Sequence, residues 1–312
     1  MASGAGDRLD HRALNRATLA RQLLLGRVEL PVTEAVARLA GLNAQDVEPP
    51  YLTLWARLAG FERDALTRAR PGGPGGGPGD AAARHPAPGD RGRLPGLAPA
   101  APAGHGPLRA GRPRPGRGRP GGPGRGGPVP LVLVEAWLGR PPTAGSPEDL
   151  ILRHLTAFGP ASVADVQAWS GLTRLREPME RLGGGLRRFR DEHGRQLYDL
   201  PDAPGPDPGV ASPVRFLPPF DNLLLAHADR GRVMTDEVRR RVCVGAVVEP
   251  TVLVDGQVAA VWKQVRRGDR AVVEAEPLGP LAGPDREAVA TEGLRLLRFA
   301  ATDAAGHDVR VG

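Results

Sequence analysis

Cysteine and lysine are nearly absent from this sequence, and aromatic residues are only 4% of it. The single cysteine, Cys243, excludes a disulfide framework and a cysteine-built zinc site, and it fits a reducing cytoplasm. No stretch approaches the ~20 apolar residues of a membrane helix. The first residues, Met1 to Arg8, lack the apolar run of a signal peptide. A soluble cytoplasmic protein with no membrane partner is expected. Of the 42 basic residues only Lys263 is lysine. Arginine can use GC-rich codons that lysine cannot, so a GC-rich gene is expected.

The chain has 312 residues and a net charge of +7, enough length for two or three small domains. The charge would suggest a nucleic-acid partner if it were spread over the chain. It is not. Between Pro71 and Pro130 there are nine arginines and two aspartates, a balance of +7, so the other 252 residues sum to zero. The same segment holds 34 glycines and prolines in 60 positions and no aromatic residue. Such a composition cannot bury enough apolar surface to offset its ordering entropy and predicts disorder over 70–130. A native Pro/Gly/Arg linker is one explanation, although structureless linkers of this length are uncommon inside compact proteins. The other is a change of reading frame, since a GC-rich gene read out of frame yields these residue types. Written with permitted codons and started one base later, Asp80 to Asp90 becomes an apolar, strand-like string.

Upstream, His11 to Leu25 is rich in helix formers and Gly26 supplies a stop. Thr33 can cap a second helix carrying Val36, Leu39 and Ala40. Pro49 and Pro50 suit a third start, followed by the apolar stripe Tyr51, Leu52, Trp55 and Leu58. Three closely spaced helices over 9–69 predict a helix-turn-helix unit. By spacing alone, Asn43 and Gln45 are a polar cap between two of them.

Downstream, Leu150, Ile151, Leu155 and Phe158 share a helical face, and Ser162 with Asp165 opens a second helix ended by Gly171. Thr173 can cap a third with Leu175, Met179 and Leu182, within which Pro178 would sit deep enough to kink it. Leu186 to Leu200 reads as a hairpin turning near Glu192-His193-Gly194. Three helices and a hairpin over 131–200 predict a winged helix, with Arg174, Arg176, Arg181, Arg187, Arg188, Arg190 and Arg195 available for phosphates. Solvated surface is the alternative for those arginines. A connector over 201–213 leads to strands at Val247–Leu253, Gln257–Val265 and Ala271–Glu276 and a helix at Asp285–Ala300, a small mixed β domain over 214–312. The fold class expected is α+β: tandem winged-helix units and a C-terminal mixed β domain, interrupted by the Pro/Gly/Arg-rich segment.

The run Gly41-Leu42-Asn43-Ala44-Gln45, followed by Pro49-Pro50-Tyr51-Leu52-Thr53-Leu54-Trp55-Ala56-Arg57-Leu58, resembles the active-site region of the AlkZ/YcaQ-type DNA glycosylases, a winged-helix family of crosslink-repair enzymes. Phe220-Asp221-Asn222 to Arg230, Val254-Asp255-Gly256 to Trp262, and Glu292 to Leu297 resemble that family's C-terminal region, and the shifted reading of the middle segment resembles it too. The resemblance implies a monomer acting on double-stranded DNA carrying alkylated or crosslinked purines, with no cofactor and no metal. It implies catalysis by Asn43 and Gln45, at the positions of the family's Gln-x-Gln or Gln-x-Asp motif. A cationic base is already a good leaving group, so orienting water and stabilising the sugar cation matter more than base strength. Asn43 is one methylene shorter than the family's glutamine. A Schiff-base lyase has only Lys263 to draw on. His227, Asp229, Arg230 and Arg232 are further candidates for DNA contact, with turn chemistry the alternative; no serine or cysteine is spaced to make a triad with His227 and Asp229. A DNA-binding regulator without catalysis is the competing expectation, and a chain without function as written is a third.

Overall fold

The computed structural model describes residues 8–69, 145–205 and 207–312. The expected frame change and disorder over 70–130 lie outside these residues, as do the strands expected to complete the N-terminal unit. No helix among the described residues is long and apolar enough to cross a membrane.

Four helices form the N-terminal part: α1 (His11–Arg21), α2 (Val32–Arg38), α3 (Pro49–Arg57) and α4 (Arg63–Arg68). Asp10 caps α1 by accepting from the Ala13 N–H. This helix shows little segregation of polar from apolar residues because it is buried on most sides: Asn15, Arg16, Thr18 and Arg21 are as hidden as Leu14 and Leu19. Its polar groups bond to distant parts of the chain. Asn15 donates to the carbonyls of Arg232 and Gly256, both at 2.8 Å. Arg21 forms a bidentate pair with Asp199 and also donates to the Leu155 carbonyl.

The next unit comprises α5 (Pro147–Phe158), α6 (Val163–Ser170), α7 (Arg176–Leu182) and an antiparallel hairpin of β1 (Arg187–Arg190) and β2 (Gln196–Asp199). Capping boxes at Ser146 and Ser162 start the first two helices, and Gly171 ends α6 in the left-handed conformation. Ile151, Leu155, Val166, Leu175, Met179 and Tyr198 make its core. The expected kink at Pro178 does not arise. The helix begins at Arg176, so Pro178 falls in its first turn, where backbone N–H groups have no intrahelical partner to lose.

The C-terminal part is built on a five-stranded sheet in the order β3 (Arg215–Leu217), β6 (Thr251–Val254), β7 (Gln257–Arg267), β8 (Arg270–Pro277), β9 (Gly306–Val311). Neighbours run antiparallel except β8 and β9, which are parallel because α10 (Gly283–Ala300) carries the chain across the sheet between them. Two short helices, α8 (Asn222–Leu225) and α9 (Asp236–Val242), and a small hairpin of β4 (Cys243–Val244) and β5 (Val247–Val248) lie between β3 and β6. At the β6–β7 turn, Gly256 has a positive φ, and a Cβ there would lie 2.5 Å from the Asn15 side chain and 2.6 Å from Leu19. Only glycine lets this turn press against α1. The N-terminal helices share a core with the sheet rather than closing one of their own: Leu19, Leu24, Leu52 and Trp55 pack with Phe216, Leu253, Trp262 and Leu297.

Candidate active site

The loop between α2 and α3 carries the candidate motif, and its shape follows from two left-handed residues. Ala40 (φ 60°) and Gly41 (φ 110°) end α2 abruptly and turn the chain toward the segment after β3. Leu42 packs with the cluster around Leu54 and Leu58, which fixes the near end of the loop. Asn43 then donates its amide to the Phe220 carbonyl at 2.6 Å and to Asn222 Oδ1 at 3.1 Å. Asn222 returns the bond, donating to the Gly41 carbonyl at 2.7 Å. The two asparagines form a reciprocal clamp.

A buried ion pair holds the other side of the clamp. Arg57, at the end of α3, grips Asp221 with both terminal nitrogens at 2.7 and 2.9 Å, and both side chains have no solvent exposure. Arg57 also donates to the carbonyls of Gln22 and Thr53, and Asp221 accepts from the Leu223 N–H as the cap of α8. Phe220 and Asn222, on either side of Asp221, are thereby fixed relative to α3. The loop and this segment enclose a pocket of about 220 Å³ lined by Asn43, Gln45, Asp46, Pro49, Pro219 and Phe220. Asn43 and Gln45 therefore share one pocket, as two side chains of one site must. Asp46 and Phe220 join them without having been marked as site residues by the sequence. Within Phe220-Asp221-Asn222 the signal was an acid between an aromatic and an amide, which did not reveal that its partner would be Arg57.

The candidate DNA-contact residues divide. Arg174, Arg176, Arg187, Arg188 and Arg190 are exposed on the three-helix unit and form no ion pair with a described residue. Arg187 lies over the Phe189 ring at 4.8 Å, and Arg190 donates to the Gly194 carbonyl, so both leave charge facing solvent. Arg181 is exposed but neutralised by Glu148 and Glu177. Arg195 is likewise held by Asp191 and Asp229.

His227 and Arg232 do not suit DNA contact. Both are buried, His227 with its Nε2 at the Phe158 carbonyl and Arg232 donating to Thr18 Oγ1 and the Pro160 carbonyl. A phosphate cannot reach them. Asp229 is bound to Arg195 and to the Gly231 N–H, and Arg230 donates to Cys243 Sγ at 2.9 Å. The small cleft beside them, between His11, Asp165, Asp191 and Arg195, has about 20 Å³ of room, close to a single water. His227 and Arg232 tie this segment to α1 and to the Phe158–Pro160 stretch, while Asp229 accepts from Gly231 within its own turn.

The family model described as DNA glycosylase AlkZ-like matches residues 103–299, and the loop carrying Asn43 lies outside that span. The fold is similar to that of the DNA glycosylase AlkZ of Streptomyces sahachiroi, with a TM-score of 0.62 and 18% identity, over 98% of this chain and 100% of that one. None of the curated proteins matches. With more than half of its residues matched, the chain belongs to the AlkZ-like DNA glycosylase family.

Proposed function

We propose that this protein is a DNA repair glycosylase that hydrolyses the N-glycosidic bond of alkylated or crosslinked purines in duplex DNA. The observation that carries this reading is the meeting of Asn43 and Gln45 in one pocket opposite Phe220. In this reading the exposed Gln45 amide orients the attacking water. Asn43, tied to Phe220 and Asn222, sets the place and direction of the loop. The α5–α7 unit with its hairpin acts as a winged helix whose exposed arginines hold phosphates.

Incubation with a duplex containing N7-methylguanine should release the free base. Gln45→Ala should slow release about a hundredfold while leaving affinity for the duplex unchanged. Intact lesion DNA after prolonged incubation with the wild-type chain would overturn the reading, and tight binding to one undamaged sequence would favour a regulator.

The DNA grip has its own test. Replacing Arg187, Arg188 and Arg190 together with alanine should flatten the dependence of log affinity on log salt by about 2 to 3 units, because each phosphate contact contributes about 0.9. Arg181→Ala, which removes a charge already neutralised by Glu148 and Glu177, should leave the slope nearly unchanged. Equal slopes for the triple variant and the wild type, measured by fluorescence anisotropy, would place the DNA on another face.

A further inference from the structure

Three polar side chains of one loop face the pocket, and their bonding differs. Asn43 has both amide hydrogens directed at Phe220 and Asn222. Gln45 is exposed and makes no side-chain hydrogen bond with a described residue. Asp46 has one oxygen on the Val47 N–H at 2.6 Å, and no described cation is paired with it. The next acid on the loop, Glu48, contrasts with it, being held by Arg63 at 2.5 Å. Among the described residues that line the pocket, Asp46 is the one with an ionisable side chain.

We propose that Asp46 is the carboxylate of this site, stabilising the sugar cation and accepting the proton of the attacking water. The assignment rests on the glycosylase reading above and adds to it the group that the amides cannot replace. When the C1′–N bond breaks, both bonding electrons leave with the base and neutralise the positive charge that N7 alkylation placed on it. The sugar is left cationic at C1′. Water adds through its oxygen, and the proton it loses needs an acceptor. Amide side chains orient water but do not take up a proton near neutral pH, whereas an ionised carboxylate does. Asp46 is exposed, so solvent screens its charge, but no described cation neutralises it, and that charge acts on a cation forming beside it. Pairing with a neighbouring arginine, as at Glu48, would weaken that effect.

The test compares the full chain with its Asp46→Asn variant on two duplexes, one holding a cationic pyrrolidine in place of the abasic sugar and one a neutral tetrahydrofuran. The wild type should prefer the cationic duplex by about tenfold or more, and the variant should bind both alike with unchanged affinity for the neutral one. Release of N7-methylguanine by the variant should fall about a hundredfold. If the wild type excises the base and the variant matches it in rate and in cation preference, the assignment of Asp46 is overturned while the glycosylase reading stands. A wild type that prefers the cationic duplex through Asp46 yet releases no base retains the cation-binding role of Asp46 and overturns the glycosylase reading.

Discussion

Replacing Asp221 with alanine should destabilise the protein by about 3 to 5 kcal/mol, the range expected when one partner of a buried ion pair is removed. Arg57 and Asp221 are both fully buried, and among the described residues the Arg57 guanidinium bonds to Asp221 and to the carbonyls of Gln22 and Thr53. Without the carboxylate, a cation stays in an apolar setting with two neutral acceptors. That penalty, rather than the lost attraction, makes up most of the loss. The double variant Arg57→Met with Asp221→Asn removes the stranded charge and keeps a side-chain acceptor for the Leu223 N–H. It should therefore be more stable than Asp221→Ala alone. Urea unfolding of the three chains measures this, and a loss below about 1 kcal/mol for Asp221→Ala would mean that the pair is not buried in solution. The consequence reaches the pocket, because Phe220 and Asn222 receive Asn43 only while Asp221 holds them against α3. Excision should fall in Asp221→Ala even where the chain remains folded.

Much of this arrangement was legible wherever the pattern was local. Ser162 and Asp165 announced α6, the Glu192-His193-Gly194 turn announced the first hairpin, and Asp255-Gly256 announced the β6–β7 turn. What escaped was non-local. Strand β9 alternates His307, Asp308 and Arg310 with Val309 and Val311, too polar to read as a strand until α10 delivers it parallel to β8. Helix α9 has just two apolar residues, Val238 and Val242, and its start depends on the Thr235 cap. The buried polar side of α1 reads as surface in the sequence, since Asn15, Arg16 and Arg21 bond to groups more than a hundred residues away. The same holds for the site. Asn43 and Gln45 stood out through resemblance, whereas Asp46 and Arg57 gained meaning only when Phe220 and Asp221 were placed against them.

Stability should fall steeply as pH drops from about 6.5 to about 4, through His154 and His227. Both imidazoles are fully buried among Phe158, Trp169 and one another. The groups facing them are Asp165, Arg232 and the carbonyls of Ala226 and Phe158. Burial brings His154 down to about 4, outweighing its bond to the Ala226 carbonyl and the nearby Asp165. Burial and then the Arg232 guanidinium hold His227 well below its ordinary value. The geometry agrees for His154: Nε2 sits 2.9 Å from the Ala226 carbonyl, while the buried Nδ1 has no partner among the described residues. With Nε2 carrying the hydrogen, Nδ1 is a bare lone pair, and protonating it would bury an N–H with nothing to receive it. Between about pH 6.5 and 4 the unfolded chain therefore binds protons that the folded chain does not, so stability falls as pH falls. For His154 alone the full span amounts to about 3 kcal/mol. His154→Gln removes that titration and should flatten the acid limb of a plot of unfolding free energy against pH, leaving the part due to His227. An acid limb of the same steepness in His154→Gln would show that His154 is already solvated in the folded chain, and that the junction between α5 and the Ala226–Ala228 segment opens to water.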